Sequence, residues 1–165
     1  MSLLRIFRHL CAAHWGTRRR FNTAVLVAIE TTVHEVEAEH SGEIRFAIET
    51  ALDLPELWQD LATRQRALQI FGQLGVWDTE YNNGVLIYVL NADRAVEIIA
   101  DRGVAARVPQ SEWAAVSRVM EDHFRAGRFE EGSVAGVRGV GVLLARHFPN
   151  AGGDRNEQPN QPVLL

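Results

Sequence analysis

Six consecutive apolar residues, Val85 to Leu90, constrain the fold of this chain more than any other segment. The run is rich in β-branched and aromatic residues and has the length of a strand, so it predicts a strand buried on both faces of a sheet. A polar turn signal, Asn91 to Arg94, follows it. The next segment, Ala95 to Ala100, alternates between two faces and favours a strand nearer the sheet edge. The two segments predict a β-hairpin with Ala92 and Asp93 at its tip.

The register of this hairpin bears on function. Gly84 lies opposite Asp101 in that register, so the loop before the first strand meets the end of the second. The side chains of Asp78, Glu80, Asn82, Asn83 and Asp101 are then expected to gather at one end of the sheet, and Asp78, Asn82, Asn83 and Asp101 are the candidate metal ligands. Because hard cations take carboxylate and amide oxygens, the pattern predicts a site for Ca2+ or Mg2+, with Ca2+ preferred on a flexible loop. The alternative is an Asx-rich turn whose side chains bond only their own backbone.

A βαβ unit leads into the central strand. Residues 43–52 alternate as a strand, and a helix with a capping box at Asp53 follows them. This order predicts a parallel strand pair with a right-handed crossover. The start of the first strand then falls near the loop before the second, where Glu43 or His40 is a further candidate ligand. We therefore predict an α/β fold in which a small mixed β-sheet is sandwiched between helices.

The remaining chain divides into three parts. An amphipathic helix is predicted over residues 1–20, a domain over residues 22–149 and a disordered tail over residues 150–165, which are rich in Asn, Gly, Gln and Pro. Within the domain, the apolar spacing predicts further helices over residues 22–40, 111–127 and 129–147.

The N-terminal helix carries an apolar stripe with arginines between its members. The stripe consists of Leu3, Leu4, Phe7, Leu10, Cys11, His14 and Trp15. Docking on the chain's own domain or on a second subunit is the favoured interpretation. Binding to an anionic membrane surface through residues 3–15 is the alternative.

Composition excludes several classes of protein. The chain has 165 residues, a formal charge of −4 and 47% apolar residues, which is typical of a soluble globular domain and argues against wholesale nucleic-acid binding. No stretch has the length and polarity of a transmembrane span. The single cysteine, Cys11, makes no internal disulfide, so a cytoplasmic location is expected.

Three short motifs resemble those of the TPM domain family. They are Asn82-Asn83-Gly84 before the central strand, Ala92-Asp93-Arg94 in the turn and Asp101-Arg102-Gly103 after the hairpin. The glycine-punctuated segment from residue 124 to residue 149 continues the likeness, which covers roughly residues 22 to 149. The resemblance implies an α/β sandwich, divalent-cation binding in some members and an acid phosphatase activity in others.

The chain departs from that family after the hairpin. Where many members have a Gly-Tyr-Gly-Leu-Glu-like run, this chain has Asp101 in place of the first glycine and Ala105 in place of the glutamate. A binding or assembly module with a divalent-cation site and a protein partner is therefore the favoured hypothesis. A metal-dependent phosphatase and a peripheral membrane protein are the alternatives.

Overall fold

The fold is organised around a central strand, β2 (Gly84–Leu90), that is buried along its whole length. The computed structural model of the protein describes residues 3–12, 14–150 and 156–165. In it, β1 (Glu43–Glu49) pairs with β2 in parallel and β3 (Ala95–Ala100) pairs with β2 in antiparallel. A short strand, β4 (Val163–Leu164), pairs in parallel with the other side of β1, so the strand order is β3-β2-β1-β4. Both predicted strand pairings are confirmed.

Helices cover both faces of this sheet. They are α1 (Leu3–Cys11), α2 (His14–Arg20), α3 (Thr23–Glu37), α4 (Leu54–Trp58), α5 (Thr63–Gln73), α6 (Arg102–Ala105), α7 (Gln110–Arg125) and α8 (Phe129–His147). The larger apolar core lies between one sheet face and α3, α7 and α8, and the smaller core lies between the other face and α4 and α5. The predicted α/β sandwich is therefore confirmed. Among the described residues, every helix is too short or too polar to cross a membrane.

Alternation along the strands sorts side chains between the two cores. On β1, Phe46 and Ile48 enter the larger core, whereas Ala47 enters the smaller one. On β2, Ile87 faces α3, α7 and α8, and Tyr88 faces the other way. Because β2 is covered on both sides, its sequence is apolar at every position, as the run of six apolar residues predicts.

A buried network of polar side chains fastens α4 and α5 to the sheet. Glu49 of β1 accepts a hydrogen bond from Arg66 at 2.6 Å and another from the hydroxyl of Tyr88. Arg66 also pairs with Glu56 at 2.7 Å. Burial and the bond to Glu49 raise the pKa of Tyr88, so its hydroxyl stays protonated and continues to donate. The network explains how a carboxylate is accommodated inside the smaller core.

The helices differ from the predicted ones mainly at their ends. Asn22 caps α3 by accepting the Val25 N–H at 3.2 Å. The capping contact predicted at Asp53 is present, because the carboxylate of Glu56 accepts the Asp53 N–H at 2.9 Å. The helix that follows is interrupted, however, and Asp60 between α4 and α5 has a φ of 52°. That left-handed residue ends one helix and turns the chain into the next.

The prediction of a disordered tail is wrong for residues 156–165, and residues 151–155 lie outside the described part of the chain. The tail follows the outer edge of β1. The N–H of Leu165 donates to the carbonyl oxygen of Ile48 at 2.8 Å. The Arg45 guanidinium donates to the carbonyl oxygens of Pro159 and Gln161. An uncovered strand edge presents unpaired backbone groups, and the tail satisfies part of them.

The N-terminal segment is two helices rather than one, and α1 docks through the face opposite to the predicted apolar stripe. Arg5 and His9 contact Asp93, in the turn between β2 and β3. Of the stripe, Leu3, Leu4, Phe7 and Leu10 face solvent. The side chains of His14 and Trp15 lie outside the description. The polar contacts to Asp93 decide the orientation, and apolar spacing alone does not reveal them.

The start of β2 allows one test of the packing. A Cβ on Gly84 would overlap the carbonyl oxygen of Val76, whereas a Cβ on Gly72 of α5 would meet open space. We expect Gly84→Ala to lower the free energy of unfolding by about 2–3 kcal/mol. The matched variant Gly72→Ala is expected to raise it by about 0.5–1 kcal/mol, because alanine favours the helix. Urea unfolding of both variants measures this, and equal stabilities would contradict the close approach at Gly84.

Candidate functional site

The candidate site lies where β2 begins and β3 ends. The N–H of Asp101 donates to the carbonyl oxygen of Gly84 at 2.8 Å, which continues the pairing of Val85 with Ala100. Gly84 is therefore opposite Asp101, and the predicted hairpin register is confirmed. We call residues 78–84 and 101–103 together the motif end of the sheet.

The loop of the motif end is fixed through Asn83, which is almost wholly buried. Its backbone N–H donates to the Thr79 hydroxyl at 3.1 Å, and its side-chain amide donates to the carbonyl oxygen of Ser41, just before β1. The residue before it, Asn82, has a φ of 51°, a left-handed conformation that asparagine tolerates well. These contacts tie the start of β2 to the start of β1. The Oδ1 atom of Asn83 is buried and has no hydrogen-bond partner among the described residues.

Asp101 faces this loop from the end of β3. Its Oδ1 accepts the N–H of Arg102 at 2.7 Å and so caps α6. Its Oδ2 is buried and, within the described part of the chain, accepts no hydrogen bond. A buried acceptor without a partner costs free energy, which a cation or a water molecule recovers.

A glycine allows the two segments of the motif end to touch. The N–H of Gly103 donates to the carbonyl oxygen of Asn82 at 3.1 Å. A Cβ on Gly103 would lie 2.6 Å from that oxygen and 2.8 Å from the carbonyl oxygen of Tyr81. Any other residue would therefore push the loop away. The Arg102 guanidinium adds a bond from its Nε to Asn82 Oδ1 at 2.8 Å.

The four predicted ligands share the motif end but differ in their side-chain contacts. Asn83 and Asp101 each bring a buried oxygen atom without a partner. The side-chain oxygen of Asn82 is held by Arg102, a cation from the protein itself. Asp78 is exposed, and its backbone N–H donates to the carbonyl oxygen of Gly75 at 2.9 Å. Within residues 3–12, 14–150 and 156–165, the carboxylate of Asp78 makes no hydrogen bond or ion pair.

The donor set limits which ions fit. In the same described ranges, no group of three or more His, Cys, Asp or Glu side chains is arranged to hold a metal. A cation at the motif end would therefore depend on the half-buried carboxylate of Asp101, supplemented by amide and carbonyl oxygens. Such oxygen ligands fit calcium or magnesium and do not fit zinc, which favours nitrogen and sulfur.

The two further candidates, Glu43 and His40, serve other contacts. The Glu43 carboxylate accepts the N–H groups of Glu157 and Gln158, each at 3.1 Å, and so fastens the tail to β1. His40 Nδ1 accepts the Gly42 N–H at 3.2 Å, which leaves the ring proton on Nε2. That tautomer has no free nitrogen lone pair for a metal.

Burial sets the charge of His40. It lowers the pKa of His40 to about 4, against the smaller opposite effect of the Gly42 hydrogen bond. The imidazole is therefore neutral at pH 7. Sequence reasoning named His40 only as a ligand, because nothing in the residue pattern shows that its ring is buried.

The chain is similar in sequence to a known protein family and in structure to proteins that have been solved. The sequence model of the TPM domain, labelled TPM phosphatase, matches residues 19–143. The NMR structure of the BA42 protein from the psychrophilic bacterium Bizionia argentinensis has a TM-score of 0.77 and 29% identity, and the match covers 87% of this chain and 94% of that one. None of the curated proteins compared with the chain matches it.

A second solved structure supports the fold alone. The N-terminal domain of a P. gingivalis protein, solved by solution NMR, has a TM-score of 0.58 and 22% identity, over 77% of this chain and 78% of that one. The fold is thus found in proteins of widely different sequence.

The buried imidazole makes stability depend on pH. The folded protein holds His40 neutral down to about pH 4, whereas the unfolded chain protonates it near the ordinary imidazole pKa of 6.5. Because the unfolded state binds the proton first, stability is lost as pH falls from 6.5 to 4, by about 2–3 kcal/mol. Urea unfolding at pH 7 and pH 4.5 measures this loss.

Two variants isolate the contribution of His40. His40→Asn keeps an acceptor for the Gly42 N–H and is expected to lose less stability on acidification than the parent chain. His34→Asn, at an exposed position on α3, is the control and is expected to behave like the parent. An unchanged acid dependence in His40→Asn would contradict the assignment.

Proposed function

The chain belongs to the TPM domain family, and from this premise we propose that it is a binding module whose motif end takes a divalent cation, calcium in preference to magnesium. The observation that carries the proposal is the pair of buried oxygen atoms, Asn83 Oδ1 and Asp101 Oδ2, without hydrogen-bond partners in the described residues. They belong to residues on either side of the Gly84–Asp101 backbone contact.

The proposed ligands divide into fixed and movable groups. Asp101 and Asn83 are fixed, one by its cap on α6 and the other by its bond to Ser41. Asp78 is exposed and joins by movement of its loop. Asn82 joins when its side-chain oxygen exchanges the Arg102 guanidinium for the cation.

Calcium suits this set better than magnesium. Calcium accepts six to eight oxygen ligands in irregular geometry. Magnesium requires a near-octahedral shell and releases its water ligands reluctantly. Of the proposed ligands, only Asp101 and the exposed Asp78 carry a negative charge, and the others are neutral amide and carbonyl oxygens. With so little negative charge, we expect weak binding, with a Kd of about 0.1–1 mM.

The same loop offers a surface for a protein partner. Trp77 and Tyr81 lie on either side of Asp78 and Glu80 in sequence, and both aromatic side chains are more than half exposed. Aromatic side chains are enriched among the residues that dominate binding at protein interfaces. We propose that the cation orders this loop and that a protein partner binds the ordered form.

The proposal places the chain in the cytoplasm. Cys11 is exposed and is the single cysteine of the chain. An exposed thiol is stable in a reducing compartment and is prone to oxidation elsewhere.

Phosphatase activity is the alternative, and the loss of the family glutamate argues against it. Ala105, at the position of the family glutamate, ends α6 with an exposed methyl group. Hydrolysis of a phosphomonoester by the purified chain, dependent on calcium or magnesium and lost in Asp101→Asn, would replace the binding module with an enzyme.

Thermal unfolding with and without calcium tests the cation site. With a Kd of about 1 mM, about 10 mM calcium adds roughly 1.4 kcal/mol to the free energy of unfolding and raises Tm by roughly 3–5 °C. Sodium chloride at matched ionic strength is the reference. Asp101→Asn is expected to abolish the shift while the domain stays folded, because asparagine retains an oxygen that caps Arg102.

Two further variants locate the ligands. Asp122→Asn changes an exposed carboxylate on α7 and is expected to keep the full calcium shift. Asp78→Asn reports whether the exposed loop carboxylate joins the site, in which case the shift becomes smaller. A parent chain whose Tm ignores both calcium and magnesium would leave the motif end as a structural turn alone.

A further inference from the structure

The face of α1 that points to solvent is apolar. Leu3, Leu4, Phe7 and Leu10 follow one another at helical spacing, and their exposed fractions are 78%, 73%, 66% and 64%. A monomeric soluble protein rarely leaves a contiguous apolar surface of this kind uncovered. Nothing in the described residues covers this face.

Polar contacts hold α1 in this orientation. Arg5 Nε donates to Asp93 Oδ2 at 3.0 Å and Arg5 Nη2 donates to the Leu61 carbonyl oxygen at 2.8 Å. His9 is buried; its Nδ1 accepts the Leu52 N–H at 2.9 Å, and its Nε2 lies 3.0 Å from Asp93 Oδ1. The apolar face is therefore held outward by contacts on the opposite side of the helix.

Asp93 remains charged in this arrangement. Burial alone would raise the pKa of Asp93, but hydrogen bonds from Arg5 and His9 outweigh burial and hold it below its usual value. Arg8 adds a further ion pair to the same carboxylate. The anchor therefore persists throughout the neutral pH range.

Two further helices are anchored near α1. α4 contacts α1 and contributes Trp58, with 69% of its area exposed. α2 is fastened to the same β2–β3 turn, because Asn91 donates to the Thr17 hydroxyl at 2.8 Å and accepts from Arg20 at 3.1 Å. Two exposed arginines, Arg18 and Arg19, lie on α2.

The charge of this segment is one-sided although the whole chain is acidic. Residues 1–29 contain five arginines and no Asp or Glu, against a formal charge of −4 for the chain. Asp93 and Asp60, which contact this segment, are both engaged by Arg5. An apolar helix face, an exposed tryptophan and exposed basic residues together match a lipid bilayer, which is apolar inside and carries anionic head groups at its surface.

We propose that α1 lies flat on an anionic lipid bilayer, with Leu3, Leu4, Phe7 and Leu10 inserted between the head groups and Arg18 and Arg19 against the lipid phosphates. The turn that anchors α1 is at the opposite end of β2 from Gly84. Seven strand residues, about 3.3 Å apart, separate the two ends, so the motif end is distant from the anchor of α1.

Vesicle co-sedimentation of the full chain tests this proposal. The vesicles contain phosphatidylcholine with one quarter phosphatidylglycerol or phosphatidylcholine alone, and the buffer contains EDTA, so the outcome is independent of the proposed cation site. We expect binding to the anionic vesicles, at least about tenfold weaker binding to the neutral ones and weakening by added salt. Absence of binding to the anionic vesicles would overturn the proposal.

Matched variants identify the surface. Leu4→Ser with Phe7→Ser is expected to abolish binding without changing Tm, and Arg18→Gln with Arg19→Gln is expected to weaken it about tenfold or more. The control is Val119→Ser with Val142→Ser, which changes exposed apolar residues on α7 and α8 and is expected to bind normally. Binding that survives Leu4→Ser with Phe7→Ser would overturn the proposal. So would a concentration-dependent dimer, lost in that variant, because a second copy would then cover the face.

Discussion

The structure depends on the close approach of three backbone segments at the motif end. Gly84 lies against the carbonyl oxygen of Val76, and Gly103 lies against the carbonyl oxygens of Tyr81 and Asn82. These contacts fix where β2 begins and where β3 ends, and so they fix the register of the hairpin between them. Because a strand that slips by one residue exchanges its two faces, they also determine which residues of β2 enter each core.

The same contacts give the motif residues structural roles beside any role in binding. Asn83 joins β2 to the residue before β1, Asp101 caps α6, and Arg102 holds the side chain of Asn82. These roles account for one oxygen or nitrogen atom of each side chain. They leave Asn83 Oδ1 and Asp101 Oδ2 without partners among the described residues, which is the physical basis for the cation site.

Sequence reasoning predicted the features that local periodicity controls. The apolar run of β2, the turn at Ala92 and Asp93 and the opposition of Gly84 and Asp101 all follow from it. It missed β4, because two residues carry too little pattern to predict a strand. It also predicted that the apolar side of α1 would dock, since spacing cannot reveal that Asp93 binds Arg5 and His9. Contacts between residues distant in sequence decided both outcomes.

Calcium titration of the isotopically labelled protein, followed by two-dimensional amide NMR, tests the central claim most directly, because it reports position as well as binding. The account predicts saturable shifts that are largest at the side-chain amide of Asn83 and at the backbone amides of Gly84, Arg102 and Gly103, with little change in α1. Magnesium is expected to produce smaller shifts at the same residues. The claim is contradicted if these signals do not move, or if the largest shifts arise elsewhere, such as at Glu37 and Glu43 beside His40.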